Sequence, residues 1–139
     1  MTSDKSEGDG ATPVGQFPLR KVMYRADKLP KPTTPLPSSI IQKDSGWCDD
    51  VHDLAYNKEI SLPYPASHES LSRSDDLYDI VIPLGYNDDP VVLGKGSAIF
   101  MHVASENYSP TEGCVALALS DLIEILREVS TETKIHIML

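Results

Sequence analysis

A histidine and a cysteine in the second half of the chain are placed in a way that suits nucleophilic chemistry. His102 ends an apolar run, a polar loop follows, and Gly113 and Cys114 lead into a second apolar run. A free thiol has a pKa of about 8.5 and is mostly protonated at neutral pH, so it needs a nearby base or cation to react. The pattern therefore indicates Cys114 as a nucleophile and His102 as the general base, which would deprotonate the thiol and later an incoming amine or water.

The residues just before the cysteine fit the same chemistry. Gly113 has no Cβ, so the backbone there can bend tightly and present its N–H groups toward a developing oxyanion. Thr111 and Gly113, together with the Cys114 backbone, are the predicted oxyanion-side residues. Each residue also has a plainer interpretation: Cys114 as a small buried side chain, His102 as a core histidine and Gly113 as an ordinary turn.

Two blocks of the sequence resemble a known family. His102, a loop, and then Thr111, Gly113, Cys114 and Val115 are similar to the active-site motif of the L,D-transpeptidase (YkuD/ErfK-type) catalytic domain. That motif is a histidine at a strand end, a variable loop, then Ser/Thr-x-Gly-Cys and a short apolar segment. An upstream block over residues 12–17, Thr-Pro-Val-Gly-Gln-Phe, is similar to the family's Thr-Pro-x-Gly-x-Phe strand. The two blocks stand in the family's order and span nearly the whole chain, which identifies the sequence as a member.

The resemblance implies a fold and a domain organisation. We expect a mainly β domain of the β-sandwich type with one clear helix near the C-terminus. The catalytic domain is expected over residues 13–139, after a polar, Gly-rich segment over residues 1–12 that is predicted to be disordered. Because the upstream block lies close to the start of the sequence, we expect a domain shortened at its N-terminus.

The resemblance also implies an activity on peptidoglycan peptide stems. Cys114 would attack the carbonyl at the L-centre of diaminopimelate in a tetrapeptide stem, and the acyl group would pass to an amine (a 3→3 crosslink) or to water. It further implies that no cofactor is needed and that carbapenem-type inhibitors acylate the thiol. Two alternatives stay open. One is a degenerate or shortened domain that binds stems or a partner without turnover, and the other is a cytoplasmic cysteine peptidase or amidase.

Two positions depart from the family's pattern. Many members carry a second histidine where this chain has Glu112, and an arginine where it has Ala116. A carboxylate beside a thiol tends to raise the pKa of that thiol. These two departures from the family's pattern therefore affect the expected reactivity of Cys114 and the expected choice of substrate.

Three further side chains are candidates for binding a carboxylate of a peptide stem: Arg25, His68 and Arg73. The forked donors of arginine suit that geometry, although solvated surface charge is the plainer interpretation for each. Cys48, with neighbouring aspartates and histidines, matches no closed zinc motif, so no metal site is expected. A bridge between Cys48 and Cys114 is not expected either, because a nucleophilic thiol must be free.

Composition limits the possible partners and compartments. With 21 acidic and 12 basic residues the net charge is −9, which argues against nucleic acid and anionic membranes as partners. No apolar run approaches the roughly 20 residues needed to span a bilayer, and the first residues contain no apolar core of a signal peptide. The periplasm or cell envelope is expected from the family resemblance, and a cytoplasmic location stays open.

Residue patterns predict a chain of short strands. We expect strands over residues 15–24 (with a register slip after Leu19), 59–62, 77–84, 96–104, 114–117 and 134–139, and an extended proline-rich connection over residues 30–37. A structured loop around Trp47 and one or two helical turns over residues 67–73 separate the first strands. Apolar residues at i, i+3, i+4 and i+7 predict a helix over residues 120–129, with Ser120 as its N-cap.

Overall fold

The computed structural model describes residues 1–139, which form ten strands and one helix. The strands are β1 (Gly15–Pro18), β2 (Val22–Tyr24), β3 (Ser38–Ile40), β4 (Ser45–Cys48), β5 (Glu59–Ser61), β6 (His68–Ser70), β7 (Ile80–Pro83), β8 (Phe100–Val103), β9 (Val115–Leu117) and β10 (Lys134–Ile137). The helix is α1 (Leu119–Glu128). The mainly β fold with a single helix near the C-terminus is thus confirmed.

A five-stranded sheet forms the centre of the domain, in the order β3-β2-β7-β8-β9. Every residue of β7 and β8 is buried, because apolar clusters cover both faces of the sheet. This explains why both strands are almost wholly apolar rather than alternating with polar residues. β9 runs parallel to β8, with His102 opposite Ala116, so the end of β8 and the start of β9 lie side by side.

The two faces of the central sheet pack against different parts of the chain. The larger cluster joins the sheet to α1 through Leu122 and Leu126, both fully buried. The smaller cluster, on Val81 and Phe100, has Trp47 and Cys114 packed against it. The sulfur of Cys114 therefore lies at the margin of a packed core, which limits the movement of the loop that carries it.

A second, three-stranded sheet has the order β5-β4-β6. In β6, Glu69 pairs with Trp47 of β4, and His68 pairs with Cys48. The predicted helical turns over residues 67–73 are therefore wrong. Strand pairing with β4 supplies backbone hydrogen bonds that a local sequence pattern cannot reveal.

The ends of the other elements also differ from the predictions in detail. The strand predicted over residues 15–24 divides into β1, which pairs with β10, and β2, which belongs to the central sheet. The break follows the predicted slip at Leu19. Ser120 is not the N-cap of α1, since that position is Ala118, whose carbonyl accepts from the backbone N–H groups of Asp121 and Leu122.

Residues 1–12, predicted to be disordered, pack against the domain in the structure. Thr2 forms a β-bridge with Pro13, and the Glu7 carboxylate accepts hydrogen bonds from the hydroxyls of Tyr56 and Ser97. The side chain of Lys5 is only 4% exposed and forms an ion pair with Asp9. These side-chain contacts offset the lack of apolar residues that favoured disorder.

Candidate active site

His102 and Cys114 line one cleft of about 340 Å³. The parallel pairing of β8 with β9 brings them there, because His102 belongs to β8 and Cys114 comes directly before β9. The cleft is lined by Glu69, Arg73, Leu77, Tyr78, His102, Ser105, Ser109, Pro110, Thr111, Glu112, Cys114 and Ala116. Of the predicted site residues, the structure therefore brings together His102, Thr111, Cys114 and Arg73.

The thiol of Cys114 is held by two backbone groups. Its Sγ donates to the carbonyl of Ala98 at 3.2 Å and accepts from the N–H of Phe100 at 3.5 Å. Ala98 has a φ of +54°, unusual for a residue with a Cβ, and its N–H donates to Oδ1 of the buried Asn57 at 3.0 Å. Asn57 therefore fixes the backbone turn against which the sulfur rests.

Burial raises the pKa of the Cys114 thiol to about 12. The nearby carboxylates of Glu69 and Glu112 act in the same direction, whereas the N–H of Phe100 and the ammonium of Lys5 oppose it. At neutral pH the sulfur is therefore protonated, and a base has to remove the proton as the reaction proceeds.

The imidazole of His102 is suited to that task. His102 is 6% exposed, and burial lowers its pKa below the ordinary histidine value, so the ring is neutral at pH 7. Its Nδ1 lies 2.8 Å from the carbonyl of Val103, and since a carbonyl can only accept, Nδ1 carries the hydrogen. The lone pair of Nε2 is then free to take a proton.

Thr111 and Gly113 shape the loop before the cysteine. The hydroxyl of Thr111 donates to the carbonyl of Cys114 at 2.7 Å and accepts from the N–H of Gly113 at 3.3 Å. The Gly113 N–H is thus engaged with Thr111, whereas the Cys114 N–H makes no hydrogen bond to the protein. Among the predicted oxyanion-side groups, the Cys114 N–H is the donor that is free for a ligand.

Replacing Gly113 by alanine is expected to destabilise the fold by about 3 kcal/mol. Gly113 has a φ of +124°, and a Cβ there would lie 2.7 Å from the backbone carbonyl oxygen of Ala11. Urea unfolding measures the change. Gly94→Ala is the matched control, because Gly94 also has a positive φ (+81°) but nothing within 4 Å of its Cβ position. If both variants lost the same free energy of unfolding, Ala11 would have moved away and the close contact would contribute nothing to the loss.

A second cleft of about 190 Å³ also reaches the sulfur. It shares Glu69, Glu112 and Cys114 with the first cleft and is bounded on its far side by residues of the N-terminal segment, including Lys5 and Glu7. The thiol is therefore approached from two sides, which suits a reaction in which one group is bound while another arrives.

The three candidate substrate-binding residues lie in different places. Arg73 lines the first cleft, pairs with Asp75 through two nitrogens, and has its guanidinium 5.1 Å from the centre of the Tyr78 ring. Arg25 lies outside both clefts, where it pairs with Asp27 and donates to the backbone carbonyl of Arg73. His68 is exposed and also lies outside both clefts.

Glu69 and Tyr78 also line the cleft, although no motif in the sequence predicts them as site residues. The Tyr78 hydroxyl lies 3.3 and 3.4 Å from the two carboxylate oxygens of Glu69, and its ring meets the His102 ring edge-on at 5.4 Å between centroids. Burial raises the pKa of both side chains. Successive side chains alternate along β6, so Glu69 lies on the face opposite to His68, a signal that depends on residues 68–70 forming a strand.

The second cysteine, Cys48, lies in neither cleft. Both cysteines are free, and Cys48 is fully buried with its Sγ 3.9 Å from Asp53. No group of His, Cys, Asp or Glu side chains is arranged to hold a metal ion. The helix α1 is neither long enough nor apolar enough to cross a membrane.

The chain matches the model of a known protein family. The family model of the YkuD L,D-transpeptidase catalytic domain matches residues 2–137. Searches of curated proteins and of solved structures returned no match to the chain. The family model covers both the strands that carry the cleft and the N-terminal segment that bounds its second side.

Proposed function

The chain belongs to the YkuD family of L,D-transpeptidase catalytic domains, and we propose that it is a cysteine acyltransferase that acts on peptidoglycan peptide stems in the cell envelope. One observation carries the proposal: a thiol and a neutral imidazole share a cleft, and a second cleft reaches the same thiol. The substrate is a tetrapeptide stem with diaminopimelate at its third position, as the family resemblance implies.

The first step acylates the enzyme. The free Nε2 of His102 takes the proton of Cys114 as Sγ attacks the carbonyl at the L-centre of diaminopimelate. The Cys114 N–H stabilises the oxyanion, because it is a donor with no other acceptor in the protein. His102 then returns the proton to the leaving amine, so that D-alanine departs and a thioester forms.

The second step transfers the acyl group. An amine of another stem, or water, attacks the thioester carbonyl as the C–S bond breaks. An amine gives a 3→3 crosslink, and water gives a shortened stem. No metal or organic cofactor takes part in either step.

Arg73 is the cation that we assign to a carboxylate of the donor stem. It is the only arginine or lysine that lines the first cleft, and its side chain is 38% exposed. Its planar guanidinium is held by Asp75 and by the Tyr78 ring, so little of its conformational freedom remains to be lost on binding.

A second candidate function is the binding of peptidoglycan stems without turnover. The resting thiol donates to the Ala98 carbonyl, and the carboxylates of Glu69 and Glu112 lie near it, both of which oppose formation of a thiolate. The positions where many family members have a second histidine and an arginine hold Glu112 and Ala116 in this chain.

A carbapenem distinguishes the two functions. We expect the intact mass of the protein to rise by that of one carbapenem, and peptide mapping to place the adduct on Cys114 and not on the fully buried Cys48. The Cys48→Ala variant should be labelled at the same rate as wild type. A folded protein that acquires no adduct, or one labelled at Cys48, would favour binding without turnover.

A further inference from the structure

The two acyl-transfer steps described above assign no role to the carboxylate of Glu69. It lies in the middle of β6 and lines both clefts, beside the sulfur of Cys114. It is half-buried and forms no ion pair, and its hydrogen-bond partner is the hydroxyl of Tyr78 at 3.3 to 3.4 Å. A carboxylate in this position costs free energy, so a role in the chemistry is a reason for its presence.

Glu69 is protonated more readily than an exposed glutamate. Burial raises the pKa of Glu69, and the negative charges of Asp49 and Glu112 add to the shift, while the Tyr78 hydroxyl and Arg73 oppose it. A carboxyl whose pKa is nearer to neutrality accepts and returns protons more readily at physiological pH.

We propose that Glu69 is the base of the second step, which takes the proton of the attacking amine or water while His102 serves the thiol in the first step. The inference rests on the proposed acyl transfer. As the N–C bond forms and the C–S bond breaks, the proton of the nucleophile passes to the Glu69 carboxylate, and the Cys114 sulfur leaves as a thiolate. Glu69 then returns that proton to the sulfur, which restores both groups.

The two clefts explain why the second step needs a base of its own. With the donor in the first cleft, the second cleft is the other cleft that reaches the sulfur, and His102 does not line it. Glu69 and Glu112 are the acidic residues present in both clefts. Glu112 is exposed, whereas Glu69 is half-buried and hydrogen-bonded to Tyr78, so Glu69 has the more fixed position.

The variant Glu69→Gln tests the proposal because it should slow the second step without slowing the first. The full chain is mixed with a diaminopimelate tetrapeptide, and the acyl-enzyme is followed by rapid quenching and intact mass. We expect acylation to be as fast as in wild type or faster, because a negative charge beside the sulfur has been removed. We expect the acyl-enzyme to disappear about 100-fold more slowly, so that it accumulates. Glu69→Asp should recover part of the lost rate.

Glu124→Gln is the matched control, since Glu124 is an exposed carboxylate on α1 and the charge change is the same. It should leave both rates unchanged. If Glu69→Gln loses the acyl group as fast as wild type does, the inference is wrong and the proposed function stands. If both steps slow equally, Glu69 is a structural residue and the inference is also wrong. If wild type releases no D-alanine and neither wild type nor Glu69→Gln forms an acyl-enzyme, the proposed function fails and the inference with it.

Discussion

Replacing Cys114 by alanine is expected to lower kcat/KM for acyl transfer from a diaminopimelate tetrapeptide by at least about 10⁴-fold. The reason is that Sγ is the atom that becomes bonded to the acyl carbon, and no other nucleophilic side chain lies at its position between the two clefts. The acyl-enzyme should be absent as well. Release of D-alanine measures the first effect, and intact mass measures the second.

The same substitution should change stability little. Cys114 is half-buried, and alanine removes only the weak hydrogen bonds of Sγ with Ala98 and Phe100. We expect a loss of about 1 kcal/mol in the free energy of unfolding. A variant that has lost activity but still unfolds cooperatively would separate the chemical role of the sulfur from its role in packing.

The other cysteine provides a matched control. Cys48 is fully buried and lies in neither cleft, so Cys48→Ala should retain full activity while its free energy of unfolding falls by about 1 to 2 kcal/mol. The nucleophile assignment would be untenable if Cys114→Ala kept measurable turnover, or if Cys48→Ala lost it.

The parts of this fold that the sequence predicts are those governed by local pattern. The apolar run ending at His102 and the apolar run after Cys114 are both strands in the structure, and the periodic apolar positions of α1 form a helix. Short-range patterns report which face of an element is buried. They do not show that the two strands are neighbours, which follows from the parallel pairing of β8 with β9 in the structure.

The parts that were missed depend on partners distant in the sequence. β6 exists because β4 pairs with it, and the packing of residues 1–12 depends on the pairing of Glu7 with Tyr56 and Ser97. Neither contact leaves a periodic signal in its own segment. For the same reason, local pattern does not predict Glu69 as a site residue, and the predicted residue beside it, His68, lies outside the cleft.

Replacing His102 by glutamine is expected to lower kcat/KM at pH 7 by about 10³-fold, because the variant has no base to take the proton of the Cys114 thiol. Nδ1 of His102 lies 2.8 Å from the carbonyl of Val103, and the side-chain N–H of glutamine can donate to the same carbonyl. The variant should therefore lose little stability. His136→Gln is the control, since His136 lies exposed on β10 and should be replaceable without effect.

The pH dependence identifies the role of His102 more sharply than the rate at one pH. In wild type the imidazole must be neutral, and burial lowers its pKa, so the acid limb of kcat/KM should lie below the ordinary histidine value of about 6.5. In His102→Gln that limb should vanish. The rate should instead rise about tenfold per pH unit, because it follows the thiolate fraction of a group whose pKa is about 12. The difference in kcat/KM between His102→Gln and wild type should therefore become smaller as the pH rises. If kcat/KM of His102→Gln were lower than that of wild type by the same factor at every pH, His102 would support the structure of the cleft and would not accept the thiol proton.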